Sequence, residues 1–370
     1  MYENTWKFLC MEDFVNWKLT GKAATDYSVA SCTMLFDIRK KEWSSKILET
    51  IGTDESVLPE VYPSGTVIGE VQRSASEDTG LAPGTLVATG GMDQCCGALA
   101  VSVVKEGLAL DSTGTVECVG TTMQTPRTDI KAMSTGQYCT CHVVENMYFS
   151  LMWLQTSGTI LKWFRDNFSE KEVESAGGRG LDVYGLLMEN AAASNLGASG
   201  LFMLPHFGES GSGQPPVFNP VSRGAFIGLR LTHKKEDLIR AMLEGISFET
   251  RLFIETFERS GFKVKELRAV GGGAKSPFWP QLKANIFNRR VALPGLTEVP
   301  VLGAALLAGV SDGTLRDAAQ ATDRAYRERY AYIPNPVEAK RYEALYRVYK
   351  KIYPTLCSLF MEIAKLELYK

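Results

Sequence analysis

Residues 236–287 restrict the fold more than any other part of the chain. Ile239, Met242, Leu243, Ile246, Phe253 and Phe257 recur at helical spacing, so residues 236–260 read as one amphipathic helix that Gly261 ends. Residues 264–270 then read as a strand running into Gly271, Gly272 and Gly273, and Ser276-Pro277 opens a further helix through about Phe287. Another strand (Arg290, Val291, Ala292, Leu293) and a small-residue helix over 301–310 follow. This alternation predicts α/β architecture. Three glycines between strand and helix let a nucleotide approach the backbone, with a helix N-terminus facing it. The loop fits neither common phosphate fingerprint: Gly273-Ala274-Lys275-Ser276 separates glycine from lysine, and the dinucleotide motif's last glycine is absent. A tight structural turn reads equally well from these residues alone.

The earlier part has a different texture. Trp6, Leu9, Phe14, Val15 and Leu19 predict one amphipathic helix over residues 5–19, closed by Thr20-Gly21. Residues 55–92 read as short strands and turns, among them Thr66-Val67-Ile68 and Leu86-Val87-Ala88. A change near Lys105-Glu106-Gly107 places a domain boundary there, giving segments 1–104 and 105–370. The last forty residues, rich in Tyr, Glu, Lys and Arg and lacking glycine, predict amphipathic helices covering the second segment.

Two shorter runs also carry candidate chemistry. In Thr89-Gly90-Gly91-Met92-Asp93-Gln94, glycines close a strand and Asp93 stands at a helix start, where the macrodipole favours its ionised form. Such an acid can accept a proton, although locally it also reads as a plain N-cap. Asp111-Ser112-Thr113-Gly114-Thr115-Val116-Glu117 is a hydroxyl-rich turn between two β-like runs, able to offer N–H groups and hydroxyls to an anion. Many such turns only join a hairpin.

Composition excludes several classes. With 45% apolar and 22% charged residues the chain is globular rather than disordered. Forty basic against 42 acidic residues supply no broad positive field, so nucleic acid is not an expected partner. No signal-like or membrane-spanning run stands out, which predicts a cytoplasmic protein with no membrane contact. The eight cysteines have no framework spacing and read as reduced thiols. Cys139-Thr140-Cys141-His142 is half a metal motif without a second half, so no metal site is assigned.

Taken together, the segments resemble the FGGY carbohydrate kinases in order and rough spacing. The likeness is densest in Glu266-Leu-Arg-Ala-Val-Gly-Gly-Gly-Ala-Lys-Ser-Pro-Phe-Trp-Pro-Gln281 and the helix with Gly303-Ala304-Ala305. Leu19-Thr20-Gly21, residues 25–31, Asn219-Pro220 with Arg223-Gly224, and residues 240–245 support it. The resemblance implies the two-domain actin/hexokinase-type (ribonuclease H-like) fold and ATP-dependent phosphorylation of a ketose or polyol, with Mg²⁺. It implies Asp93 as catalytic base, Thr113, Gly114 and Thr115 around the transferred phosphate, and Gly158 as a nucleotide-contacting glycine. Gly272, Gly273 and Ala274 would wall the adenosine pocket, with Ser276 and Gln281 beside it. Asn285 stands where the family usually has Asp, a change expected to alter a local hydrogen bond. The family's opening strand–hairpin–strand with its Asp-x-Gly-Thr loop has no counterpart here. The expectation is therefore a truncated first domain, impaired or absent activity of the chain alone, and exposed surface that favours a homodimer. A noncatalytic nucleotide- or sugar-binding descendant and an actin-like ATPase are the alternative readings.

Overall fold

The computed structural model describes residues 4–366 apart from 131–133, 135, 181, 213–217 and 297. Its centre is a seven-stranded sheet built from β1 (Leu108–Thr113), β2 (Glu117–Met123), β3 (Tyr138–Cys141), β4 (Tyr148–Leu154), β5 (Glu266–Gly271), β6 (Arg290–Pro294) and β7 (Glu328–Tyr332), numbered along the chain within this sheet. The strand order is β7-β6-β5-β1-β2-β4-β3. β1, β2, β4 and β3 pair antiparallel in that order, whereas β5 lies parallel to both β1 and β6. Each parallel crossover is carried by a helix, as the short β5–helix–β6 connection shows.

Alternation along the strands divides two apolar cores. Ala109 and Val119 enter one, and Leu108, Leu110 and Cys118 enter the other. The first is closed by the helix Lys235–Arg259, expected over 236–260, together with the helices Phe278–Phe287 and Pro336–Lys365. Glu236 and Asp237 begin the long helix, where the Lys234 N–H donates to Asp237 at 2.9 Å, and Gly261 leaves it at a φ of 93°. The second core is closed by the helices Asp93–Ala100 and Val299–Ser311. Those two meet so closely that a Cβ on Gly303 would lie 2.0 Å from the Cys96 carbonyl oxygen.

The C-terminal expectation needs correction. Instead of several helices there is one of 30 residues, preceded by β7 as an edge strand. β7 is almost wholly exposed, so it carries no alternating burial from which a strand could be read. The long helix is held by Tyr342, Tyr346 and Tyr349, all buried, with the Tyr342 and Tyr349 hydroxyls donating to Glu244 and Glu249 at 2.7 and 2.6 Å.

The opening segment differs too. Its helix is Met11–Thr20, ending as expected at Gly21 with φ of 76°, but it buries Asp13 and Asn16 and leaves Met11, Phe14 and Val15 exposed. Asp13 turns inward because its carboxylate caps the helix, accepting from the Cys10 N–H at 2.8 Å. Around it are two-stranded pairs: Ala24–Asp26 parallel to Glu60–Tyr62, and Val67–Glu70 antiparallel to Leu86–Ala88.

Gly303→Ala should cost about 1–3 kcal/mol through overpacking. Thermal denaturation would show it, and an unchanged melting temperature would mean that the two helices do not approach this closely.

Candidate functional site

The register of the central sheet assembles three loops. Thr113 ends β1 and lies opposite both Gly271, which ends parallel β5, and Glu117, which begins antiparallel β2. The turn between β1 and β2 therefore projects beside the glycine loop. Gly271 has a φ of 87°, and a Cβ there would stand 2.4 Å from the Thr113 carbonyl oxygen. A Cβ on Gly273 would meet Thr113 Cγ2 at 2.5 Å and Trp279 at 3.1 Å. Only glycine permits this contact.

The third loop joins from the other side. Gly158 begins the helix Gly158–Phe168, its N–H donates to the Gly114 carbonyl at 3.0 Å, and a Cβ would come within 2.5 Å of that oxygen. The Ser157 N–H donates to the Thr115 carbonyl at 3.1 Å. Residues 113–115, Gly158 and residues 271–273 thus form one continuous backbone surface, on which Gly114, Thr115 and Gly272 are exposed. Ala274 packs on the first core, and Ser276 Oγ accepts from the Phe278 N–H at 3.3 Å. Gln281 turns elsewhere, its amide donating to Asn285 at 3.0 Å and to the Ile333 carbonyl at 2.9 Å.

Asn285 is fitted to its neighbours as an amide. Its oxygen accepts from Gln281 and from the Asn335 N–H at 2.8 Å, while its Nδ2 donates to Glu338 at 2.6 Å. An Asp could not make the last bond and would face Glu338 as a like charge.

Beneath the turn lies a buried ionic group absent from the sequence reading. Lys283 Nζ donates to both Asp111 oxygens at 3.1 and 2.9 Å, to Thr113 Oγ1 at 2.6 Å and to Glu117. Burial pushes the Glu117 carboxyl upward despite Lys283, and Asp111 adds to the rise. For Lys283 burial acts downward, but Asp111 and Glu117 outweigh it and hold the ammonium above its usual range.

Asp93 occupies the first position of its helix and is exposed, with Oδ1 accepting from the Gln94 N–H at 2.7 Å. Two carboxyl groups from the opening segment hold the glycine loop that carries it. Glu12 accepts from the Gly90 N–H at 3.0 Å. Asp26 accepts from the Ser28 N–H at 2.7 Å and from its hydroxyl, and Ser28 Oγ in turn accepts from the Met92 N–H at 2.8 Å. Gly91 must be glycine, since a Cβ would lie 2.2 Å from Val143. Asp93 is also electrostatically close to the strand leaving the turn. Burial pushes the Cys118 thiol up to about 12, with Glu117, Asp93 and Asp111 adding to the rise.

Several buried polar atoms in this region have no protein partner: Asp13 Oδ1, Asn16 Nδ2, Asp26 Oδ2 and Gln94 Oε1. Unpartnered buried polar atoms point to water or a polar ligand. Among the described residues no group of three or more His, Cys, Asp or Glu is placed to hold a metal ion, and no helix is long and apolar enough to cross a membrane.

Comparison with known proteins adds the decisive observation. Residues 109–311 match the C-terminal domain of the FGGY family of carbohydrate kinases, and residues 1–100 match its N-terminal domain. The chain belongs to the FGGY family of carbohydrate kinases. It is 30% identical over 354 residues to a xylulose kinase of Bacillus subtilis, covering 95% of this chain and 68% of the relative. It is 32% identical over 352 residues to a xylulose kinase of Lactococcus lactis, covering 94% and 66%. It thus spans about two thirds of the length of these FGGY kinases. The crystal structure of ligand-bound xylulose kinase from Lactobacillus acidophilus superposes with a TM-score of 0.86 at 23% identity, over 97% of this chain and 69% of that one. The FGGY fold is therefore the two-domain actin/hexokinase type.

The roles of Glu12, Asp26, Ser28 and Lys283 were not read from the sequence, because they depend on contacts far apart in the chain. Asp26 and Ser28 lie in the 25–31 segment that supports the resemblance, and a lysine on an otherwise apolar helix face was a further signal.

Burial, with Asp26 adding, pushes Glu12 up to about 7 against the opposing pull of the Gly90 N–H. A raised folded-state value gives stability that is full below about pH 4.5 and is lost as pH rises through about 7. Relative to Glu12→Gln, the wild type should lose about 1–3 kcal/mol between pH 5 and 8. Denaturant titrations of both proteins across that range would measure it, and a pH-independent difference would refute it.

Proposed function

We propose that this chain carries the nucleotide site and catalytic base of an ATP-dependent kinase acting on a small ketose or polyol. The observation that supports this best is the meeting of residues 113–115, Gly158 and residues 271–273 at backbone contact distance, an arrangement that glycine alone allows. Such a surface suits phosphates and a flat base, because no side chain stands between ligand and backbone. Thr113, Gly114 and Thr115 face the phosphates in this reading, and Gly272, Gly273 and Ala274 wall the adenosine, with Ser276 at its edge. Gln281 acts more remotely, since its amide hydrogens bind Asn285 and Ile333.

Asp93 is the base. It is exposed at the first position of its helix, and its charge reaches the strand beside the turn. It takes the proton of the attacking hydroxyl as that oxygen bonds to the terminal phosphorus of ATP, while the bond from that phosphorus to the bridging oxygen breaks and ADP leaves with its electron pair. Mg²⁺ would neutralise phosphate charge. Asp111 and Glu117 are poor candidates to hold it, being buried and bound to Lys283, so in this reading the ion arrives on the nucleotide. The xylulose kinases among the relatives favour a ketose as substrate.

Calorimetry of the chain with ADP and Mg²⁺ should show binding, and Gly273→Val should weaken it at least about 10-fold by filling the contact with Thr113. Equal affinity in a folded Gly273→Val protein would place the nucleotide elsewhere. Wherever sugar-dependent ADP release is measurable, Asp93→Asn should lower it by about 10²–10⁴ with ATP affinity nearly unchanged. Turnover of ATP indifferent to sugar would instead favour an ATPase.

A further inference from the structure

Lys283 reaches from the helix that follows the glycine loop to both legs of the β1–β2 hairpin. Its partners are Asp111 and Thr113 on β1 and Glu117 on β2. Glu117 extends the same network sideways, accepting from Ser157 Oγ at 3.1 Å, one residue before Gly158, and from Thr250 Oγ1 at 3.5 Å on the long helix. The turn and the start of the Gly158 helix are therefore tied from below to one ammonium and one carboxyl group, and the glycine loop meets them through Thr113.

The decisive contact is the one with Thr113. By donating to Thr113 Oγ1, Lys283 fixes that side chain's rotamer, and the rotamer directs Cγ2 toward Gly273. The three charged residues are at most 3% exposed at their side chains, so none gains from water. A buried ion pair is seldom worth more than apolar packing of equal volume, and its best-attested use is to select one geometry. An apolar residue at position 283 would fill the space but leave the Thr113 hydroxyl free to rotate.

We infer that Lys283 is a positioning residue for nucleotide binding, holding the residue 113–115 turn in the conformation that accepts phosphate. This rests on the nucleotide site proposed above. The ammonium does not touch the ligand; it acts through Thr113 and the hairpin legs.

The test separates positioning from stability. Lys283→Met alone would leave two buried acids facing each other and lower the melting temperature. The combination Asp111→Asn/Glu117→Gln/Lys283→Met removes the charges at nearly constant volume and should recover most of that loss. It should still bind ADP with Mg²⁺ at least about 10-fold more weakly than the wild type, a loss of about 1.4 kcal/mol. Tyr342→Phe, remote from the turn, serves as a control of lowered stability and should keep ADP affinity within about twofold. Wild-type affinity in the triple variant would overturn the inference, as would an equal loss in the Tyr342→Phe control. Amide hydrogen exchange at residues 113–116 without nucleotide gives a second readout. It should be faster in the triple variant, and equal protection would also overturn the inference. If the wild type bound no ADP while exchange still responded to Lys283, the nucleotide reading would fail and the hold on the turn would stand.

Discussion

Thr113 is where the structure has least freedom. Its carbonyl oxygen lies where a side chain on Gly271 would be, its methyl group lies where one on Gly273 would be, and its hydroxyl is bound by a buried lysine. The parallel pairing of β1 with β5 makes this crowding unavoidable, because register alone sets Thr113 opposite Gly271. Once that pairing exists, the turn, the glycine loop and the following helix have little choice of relative position. A close-packed interior transmits such a constraint because it offers few alternative arrangements. The Gly158 loop is fitted to the same point from outside, through hydrogen bonds to the Gly114 and Thr115 carbonyls.

What the sequence made legible follows from this. Glycines required by close approach and helices required by apolar spacing leave local traces, so the long helix, the glycine loop and the β1–β2 turn were readable within a residue or two. The resemblance of these segments to one kinase family was readable for the same reason, since these positions tolerate few substitutes. Features made by long-range contact were not. The Met11–Thr20 helix buries Asp13 and Asn16 against an apolar reading that favoured Phe14 and Val15, because Asp13 turns inward to cap the helix's own start. β7 went unseen because an exposed edge strand has no buried face to alternate with.

Polar chemistry in this chain is arranged in two layers. Exposed groups such as Asp93, Gly114 and Thr115 meet solvent, while a second set with little or no exposure fixes their backbone. Glu12 and Ser28 hold the N–H groups of Gly90 and Met92 on one side, and Lys283 with Glu117 holds the hairpin on the other. In the supporting layer, removal from water is what shifts Glu12 and Glu117.

The contact between Gly303 and Cys96 has a mechanical meaning. It welds the helix that starts with Asp93 to the layer of helices on the large sheet, so that carboxylate is carried by the same solid body as the glycine loops. The opening segment reaches it through the pair of hydrogen bonds from Gly90 and Met92. The position of Asp93 is thus set from two sides, by helix packing on the sheet and by the polar grip on the loop before it.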